Sequence, residues 1–174
     1  MSSTTPAATK LVLVATLAVT AAAIAAFVAG RPEEQIEPGF AAPYLWLFSA
    51  LFLLRVAGQL IVRLRQPSWL PPTEEWNLSP YKLLLPSQLA ILGVMVWIAG
   101  SFSAGSGTPV NARPGLGEAV LVVSYVYAAG MAFRYVVRMR RRPGKRWFGG
   151  TIPIVFHEVL AAYLFVLGAF HASY

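Results

Sequence analysis

Seven acidic residues, two histidines, no cysteine and no aspartate leave this chain few groups for chemistry. Both histidines and one acid fall in a single apolar stretch, Thr151 to Tyr174, TIPIVFHEVLAAYLFVLGAFHASY. An imidazole can ligate a metal or pass a proton, and a carboxyl can take up a proton or answer a cation. In hydrocarbon either group is costly unless it faces the protein interior, a cavity or a partner. His157 and Glu158 point about 100° apart on a helix, so they do not form an acid–base dyad with each other. Without Cys or Asp there is no thiolate metal site, no cysteine nucleophile and no Asp-dependent phosphoryl-transfer motif. The reading leans against an enzyme and assigns neither catalytic residues nor a metal site within the protein alone.

His157 and His171 are fourteen residues apart, close to four helical turns, which puts them on one face about 21 Å apart along the axis. This spacing resembles the His-x13-His pattern on the haem-bearing helices of membrane b-type cytochromes, where each histidine is an axial ligand of a separate haem. One helix carries the resemblance. It implies haem at His157 and His171, each completed by a ligand from a facing helix. The chain has no further histidine, so a symmetric dimer, Met95 or Met131 would complete the set. A chlorophyll-type pigment needs only one histidine. A quinone carbonyl would take hydrogen bonds from His157, Arg55, Gln59 and Gln88. His171, near the carboxyl terminus, is expected in water at the same rim as Glu118.

The elements that would position these groups read as an all-α membrane domain. The chain of 174 residues is 57% hydrophobic and 12% charged, outside the range of ordinary soluble domains. Five apolar spans are expected, at about 11–30, 43–64, 82–102, 116–137 and 151–172, in one domain covering 1–174. The first run exceeds a signal-peptide core and is read as a retained helix. Within it, Ala18, Ala22, Ala26 and Gly30 form a small-residue ridge suited to helix packing. A surface loop at 66–81 carries four prolines together with Trp69 and Trp76. A basic loop follows the fourth span at 138–149. Ten basic residues flank the spans on one side against Arg31 and Arg113 on the other. This asymmetry predicts a cytoplasmic amino terminus and an outside carboxyl terminus in a bacterial cytoplasmic membrane. The net charge of +7 is a topology signal, and no nucleic-acid module accompanies it.

Arg55, Gln59 and Arg63 are spaced by four and share a helix face. Arg55 and Glu158 each lie about 12–15 Å from the cytoplasmic ends of their spans, which predicts a buried ion pair between them. Gln59, Gln88, Arg134 and His157 fall in the same half, and at most one of Tyr125 and Tyr127 joins them. The run Arg138, Arg140, Arg141, Arg142, Lys145 and Arg146 is expected to hold anionic lipid or an acidic partner. The expected function is a small non-catalytic subunit of a larger membrane complex, of respiratory or photosynthetic type, with other subunits or copies of itself as partners. One alternative is a redox protein binding haem, pigment or quinone at His157 and His171. Another is a proton-coupled transporter using Glu158 and Arg55.

Overall fold

The computed structural model describes residues 7–65, 70, 81–141 and 151–174, with the main chain alone at 81–84. Five α-helices follow one another: α1 (Ala7–Gly30), α2 (Pro38–Arg65), α3 (Tyr81–Ala104), α4 (Pro114–Arg141) and α5 (Ile152–Ala172). All five are long and apolar enough to cross a membrane. A 3-10 turn, Thr108–Val110, lies between α3 and α4.

Proline sets several of the starts, because its fixed φ suits the first helical turn and its missing N–H would be unpaired there anyway. α2 begins at Pro38 rather than at Pro43, and the Glu37 carbonyl accepts the N–H groups of Phe40 and Ala41 at 3.1 and 3.3 Å. Pro43 then falls within the first two turns. α3 ends in a Schellman motif. Gly105 takes the left-handed conformation at φ 62°, while its N–H and that of Ser106 reach back to the carbonyls of Phe102 and Ser101, satisfying groups that a helix end otherwise strands. α4 continues through Arg141, so the expected basic loop starts as helix. Arg142, Lys145 and Arg146 lie outside the described residues, as does the loop at 66–81 apart from Leu70 and Tyr81.

Neighbouring helices run antiparallel. Phe27 near the end of α1 packs on Phe40 and Tyr44 near the start of α2. The Trp46 Nε1–H on α2 donates to Ser103 Oγ on α3 at 2.9 Å. The end of α5 is tied to the α1–α2 connection by Ile36 N–H, which donates to Ser173 Oγ at 3.0 Å. Among the described residues, Lys10, Arg63, Arg65, Arg138, Arg140 and Arg141 thereby gather at one end, and Arg31 and Arg113 stand at the other.

α5 occupies the centre. Two thirds of its apolar window is buried (67%), against 6% for α4. It packs on α1, α2 and α4, and Tyr163 reaches α3 by donating its hydroxyl to the Met95 carbonyl at 2.9 Å. α1 turns inward a stripe spaced alternately by four and three residues: Thr9, Leu13, Thr16, Thr20, Ala23 and Phe27. This is the narrow seam of a coiled coil. The Ala18, Ala22, Ala26 and Gly30 ridge therefore faces outward, with Gly30 lying near the Phe40 ring of α2. Phe48, Phe52, Phe156 and Phe170 are core.

α4 packs extensively on α5 and on no other described helix to a comparable degree. Two glycines permit the approach. A Cβ at Gly117 would collide with the backbone of His171 and Ala172, and one at Gly168 would stand 2.9 Å from the Leu121 nitrogen. Ser124 Oγ then donates to the Ala161 carbonyl at 3.0 Å. Gly117→Val and Gly168→Val are each expected to destabilise the fold by about 1–3 kcal/mol through overpacking. Gly93→Ala, where the new Cβ meets nothing within 4 Å, is expected to be neutral or mildly stabilising. Thermal unfolding in lipid nanodiscs checks the contrast.

Candidate functional site

Ala161 lies one turn above both His157 and Glu158, and α4 is seated over it through Ser124. The two polar residues consequently emerge on opposite flanks of the α4–α5 seam. Each flank makes a different environment.

On the first flank, α2 delivers Arg55, which is 5% exposed. Its Nη1 approaches His157 Nδ1 at 3.3 Å, and the same ring nitrogen meets the Pro153 carbonyl one turn back. One nitrogen serves only one of these neighbours at a time: it accepts from the guanidinium, or it carries a proton and donates to the carbonyl. The Tyr127 ring lies 5.7 Å from the imidazole, centroid to centroid. Tyr127 is within electrostatic reach of both Arg55 and Glu158, and the field of Arg134, exposed on α4, also acts on His157. Of the two tyrosines on this turn, Tyr127 enters the cluster; Tyr125 is 59% exposed and packs its ring edge near Phe165.

On the second flank, α1, α4 and α5 border a groove of about 1190 Å³. Its walls include Leu17, Ala21 and Ala25 of α1 and Ala129 and Ala132 of α4, and Glu158 lines it from α5. Glu158 is half-buried and, among the described residues, makes no ion pair or hydrogen bond. The expected Arg55–Glu158 pair is thus not formed. Arg55 reaches the level of His157, the neighbour of Glu158, but the divergence of adjacent helical positions turns the carboxyl away from the flank that Arg55 enters. The relative level of the two residues was legible; their azimuth depended on where α4 sits.

Gln59 and Gln88 are interior, at 1% and 5% exposure, and Gln59 Nε2 and Gln88 Oε1 have no hydrogen-bond partner among the described residues. His171 is not at a wet rim: it is 4% exposed, its backbone is pressed against Gly117, and its Nδ1 is buried without a partner among the described residues. Neither histidine lines the groove. Met95 is buried on α3 and uses its carbonyl for Tyr163, whereas Met131 is half-buried on α4. Of the basic run, Arg140 and Arg141 are exposed and Arg138 is half-buried and interacts with another group. No group of three or more metal-ligating side chains occurs among the described residues. The groove itself was the feature sequence reasoning missed, although the small residues Ala128, Ala129, Gly130 and Ala132 in α4 were a signal for it.

Comparison with protein-family models, with characterised proteins and with solved structures returned no match. The arrangement therefore has to be judged on its own chemistry. It offers a cation, an imidazole and a phenol on one side, and a lone acid in an apolar groove on the other.

The two acid–base candidates differ in what they hold together. His157→Leu leaves the buried guanidinium of Arg55 without its protein partner and is expected to cost about 1.5–3 kcal/mol. Glu158→Gln breaks no ion pair and is expected to change stability by less than about 0.5 kcal/mol. Unfolding of both variants in one lipid composition checks the ranking.

Proposed function

We infer that this chain is a small non-catalytic subunit of a membrane complex, and that the groove between α1 and α4 receives a transmembrane helix of its partner. In this reading the five helices cross the bacterial cytoplasmic membrane, with the amino terminus cytoplasmic and the carboxyl terminus outside. The observation that carries the proposal is Glu158, which lines an apolar groove of about 1190 Å³ with no counter-charge from the described chain. A carboxyl placed in hydrocarbon calls for a partner, and acyl chains filling the groove would offer it none. A helix bearing Lys or Arg at that depth would supply the charge.

Packing chemistry supports the same reading. Membrane helices associate where small residues let backbones approach, and the α4 wall of the groove carries Ala128, Ala129 and Ala132, facing Ala21 and Ala25 among the larger side chains of α1. The outward ridge of Ala18, Ala22, Ala26 and Gly30 adds a second such surface beside it. The gathering of described basic residues at one end of the bundle agrees with the proposed orientation. The transporter reading draws less support, because Arg55 is committed to His157 and does not form the pair that would couple to Glu158.

Photoreactive residues placed at Ala25 and Ala129, with Val94 on the exposed face of α3 as a control, test the proposal in native membranes. The groove positions are expected to join one transmembrane segment containing Lys or Arg, and Glu158→Gln is expected to reduce that adduct about tenfold. Adducts to lipid alone, or the same adduct from Val94, contradict it.

A further inference from the structure

Among the described residues, three buried polar atoms on α2 and α3 have no hydrogen-bond partner: Arg55 Nε, Gln59 Nε2 and Gln88 Oε1. Their side chains are 5%, 1% and 5% exposed. Arg55 and Gln59 are one turn apart on the buried face of α2. The Trp46–Ser103 hydrogen bond fixes the antiparallel register of the two helices and brings Gln88 to within about one turn of the level of Gln59. Gln88 itself belongs to the buried stripe of α3 that continues through Met95, Ala99 and Phe102.

Buried polar groups are nearly always hydrogen-bonded, and each exception asks for an explanation. The exception here includes a charge. Among the described residues the Arg55 guanidinium has one hydrogen-bond partner, an imidazole nitrogen, with the Tyr127 phenol within electrostatic reach, and Glu158 faces the other flank of α5. A buried cation without an anion is among the most destabilising arrangements a fold can carry.

We propose that Arg55, Gln59 and Gln88 bind an oxyanion, a carboxylate or a phosphate group. The Arg55 Nε–H and the Gln59 amide are donors, and rotation of the Gln88 amide about its terminal torsion turns its NH₂ inward as a third. Charge-assisted hydrogen bonds to a guanidinium are the strong ones, and an anion also neutralises the site, which a quinone or another neutral carbonyl compound does not. Beside Arg55, His157 and Tyr127 are half-buried rather than enclosed. There the positive field of exposed Arg134 reaches His157 and favours an incoming anion. The same chemistry is presented by the headgroup of an anionic lipid and by a free ion.

Thermal unfolding of the purified chain separates these sources. Wild type is measured in phosphatidylcholine nanodiscs, alone and with inorganic phosphate or acetate at ionic strength matched by sodium chloride, and in discs doped with phosphatidylglycerol. Binding to the folded state alone raises Tm with ligand concentration. A rise with phosphate or acetate only identifies a free ion, and a rise with phosphatidylglycerol only identifies a lipid headgroup; either supports the site. Gln59→Leu and Gln88→Leu remove the unsatisfied amides at similar volume. Without anion they are expected to keep or raise Tm, while the anion response weakens about tenfold or more. No rise with any of the three probes, a rise with a neutral quinone alone, or full retention of the anion response in both leucine variants overturns the proposal.

Discussion

Adjacent positions on a helix cannot face the same way, and the bundle is arranged around that constraint at His157 and Glu158. α5 is the most enclosed helix, so whatever its side chains meet must come from neighbouring helices. α2 brings Arg55 to one side, where the imidazole receives it. α1 and α4 leave the other side open as an apolar groove that Glu158 lines. A positive and a negative group stand at similar depth yet remain apart, each calling for something further.

The separation rests on the α4–α5 seam. Gly117 and Gly168 let the two backbones meet without an intervening Cβ, and the Ser124 hydroxyl seals the contact on Ala161. Close seating of α4 over Ala161 is what divides the surface of α5 into two flanks. Tyr127, carried by the same helix, sits at the division, with its ring beside His157 and within electrostatic reach of both Arg55 and Glu158. Packing by small residues thus decides which polar groups can see each other.

Much of the fold was legible in the sequence, because long apolar runs bounded by proline, glycine and charge carry their own punctuation. Five helices were expected and five are present among the described residues. The ends were less accurate. Pro43 looked like a start but lies inside α2, since Pro38 and the Glu37 carbonyl already supply an initiation; the basic run begins as helix because no proline interrupts it before Pro143. The shared level of Arg55 and His157 was legible too, since a rise of about 1.5 Å per residue needs no tertiary information. Azimuth was not. Which helix faces Glu158, whether the alanine ridge turns in or out, and whether His171 is wet all depend on how helices rotate against one another. That rotation is set by close contacts such as Gly117 on His171. Of the candidate site, the residue set Arg55, Gln59, Gln88 and His157 was readable from polarity in apolar segments, whereas the groove was not, because it is made by the gap between helices distant in sequence.

The central claim is that Arg55 belongs with His157 and not with Glu158. Dipolar recoupling by solid-state NMR on protein in lipid bilayers, with labels on the Arg55 guanidinium, the His157 ring and the Glu158 carboxyl, measures both separations in one sample. The account predicts close coupling between the guanidinium and the imidazole, consistent with the 3.3 Å contact, and none to the carboxyl carbon. A Glu158 carboxylate within ion-pair distance of Arg55, under about 4 Å, would contradict it.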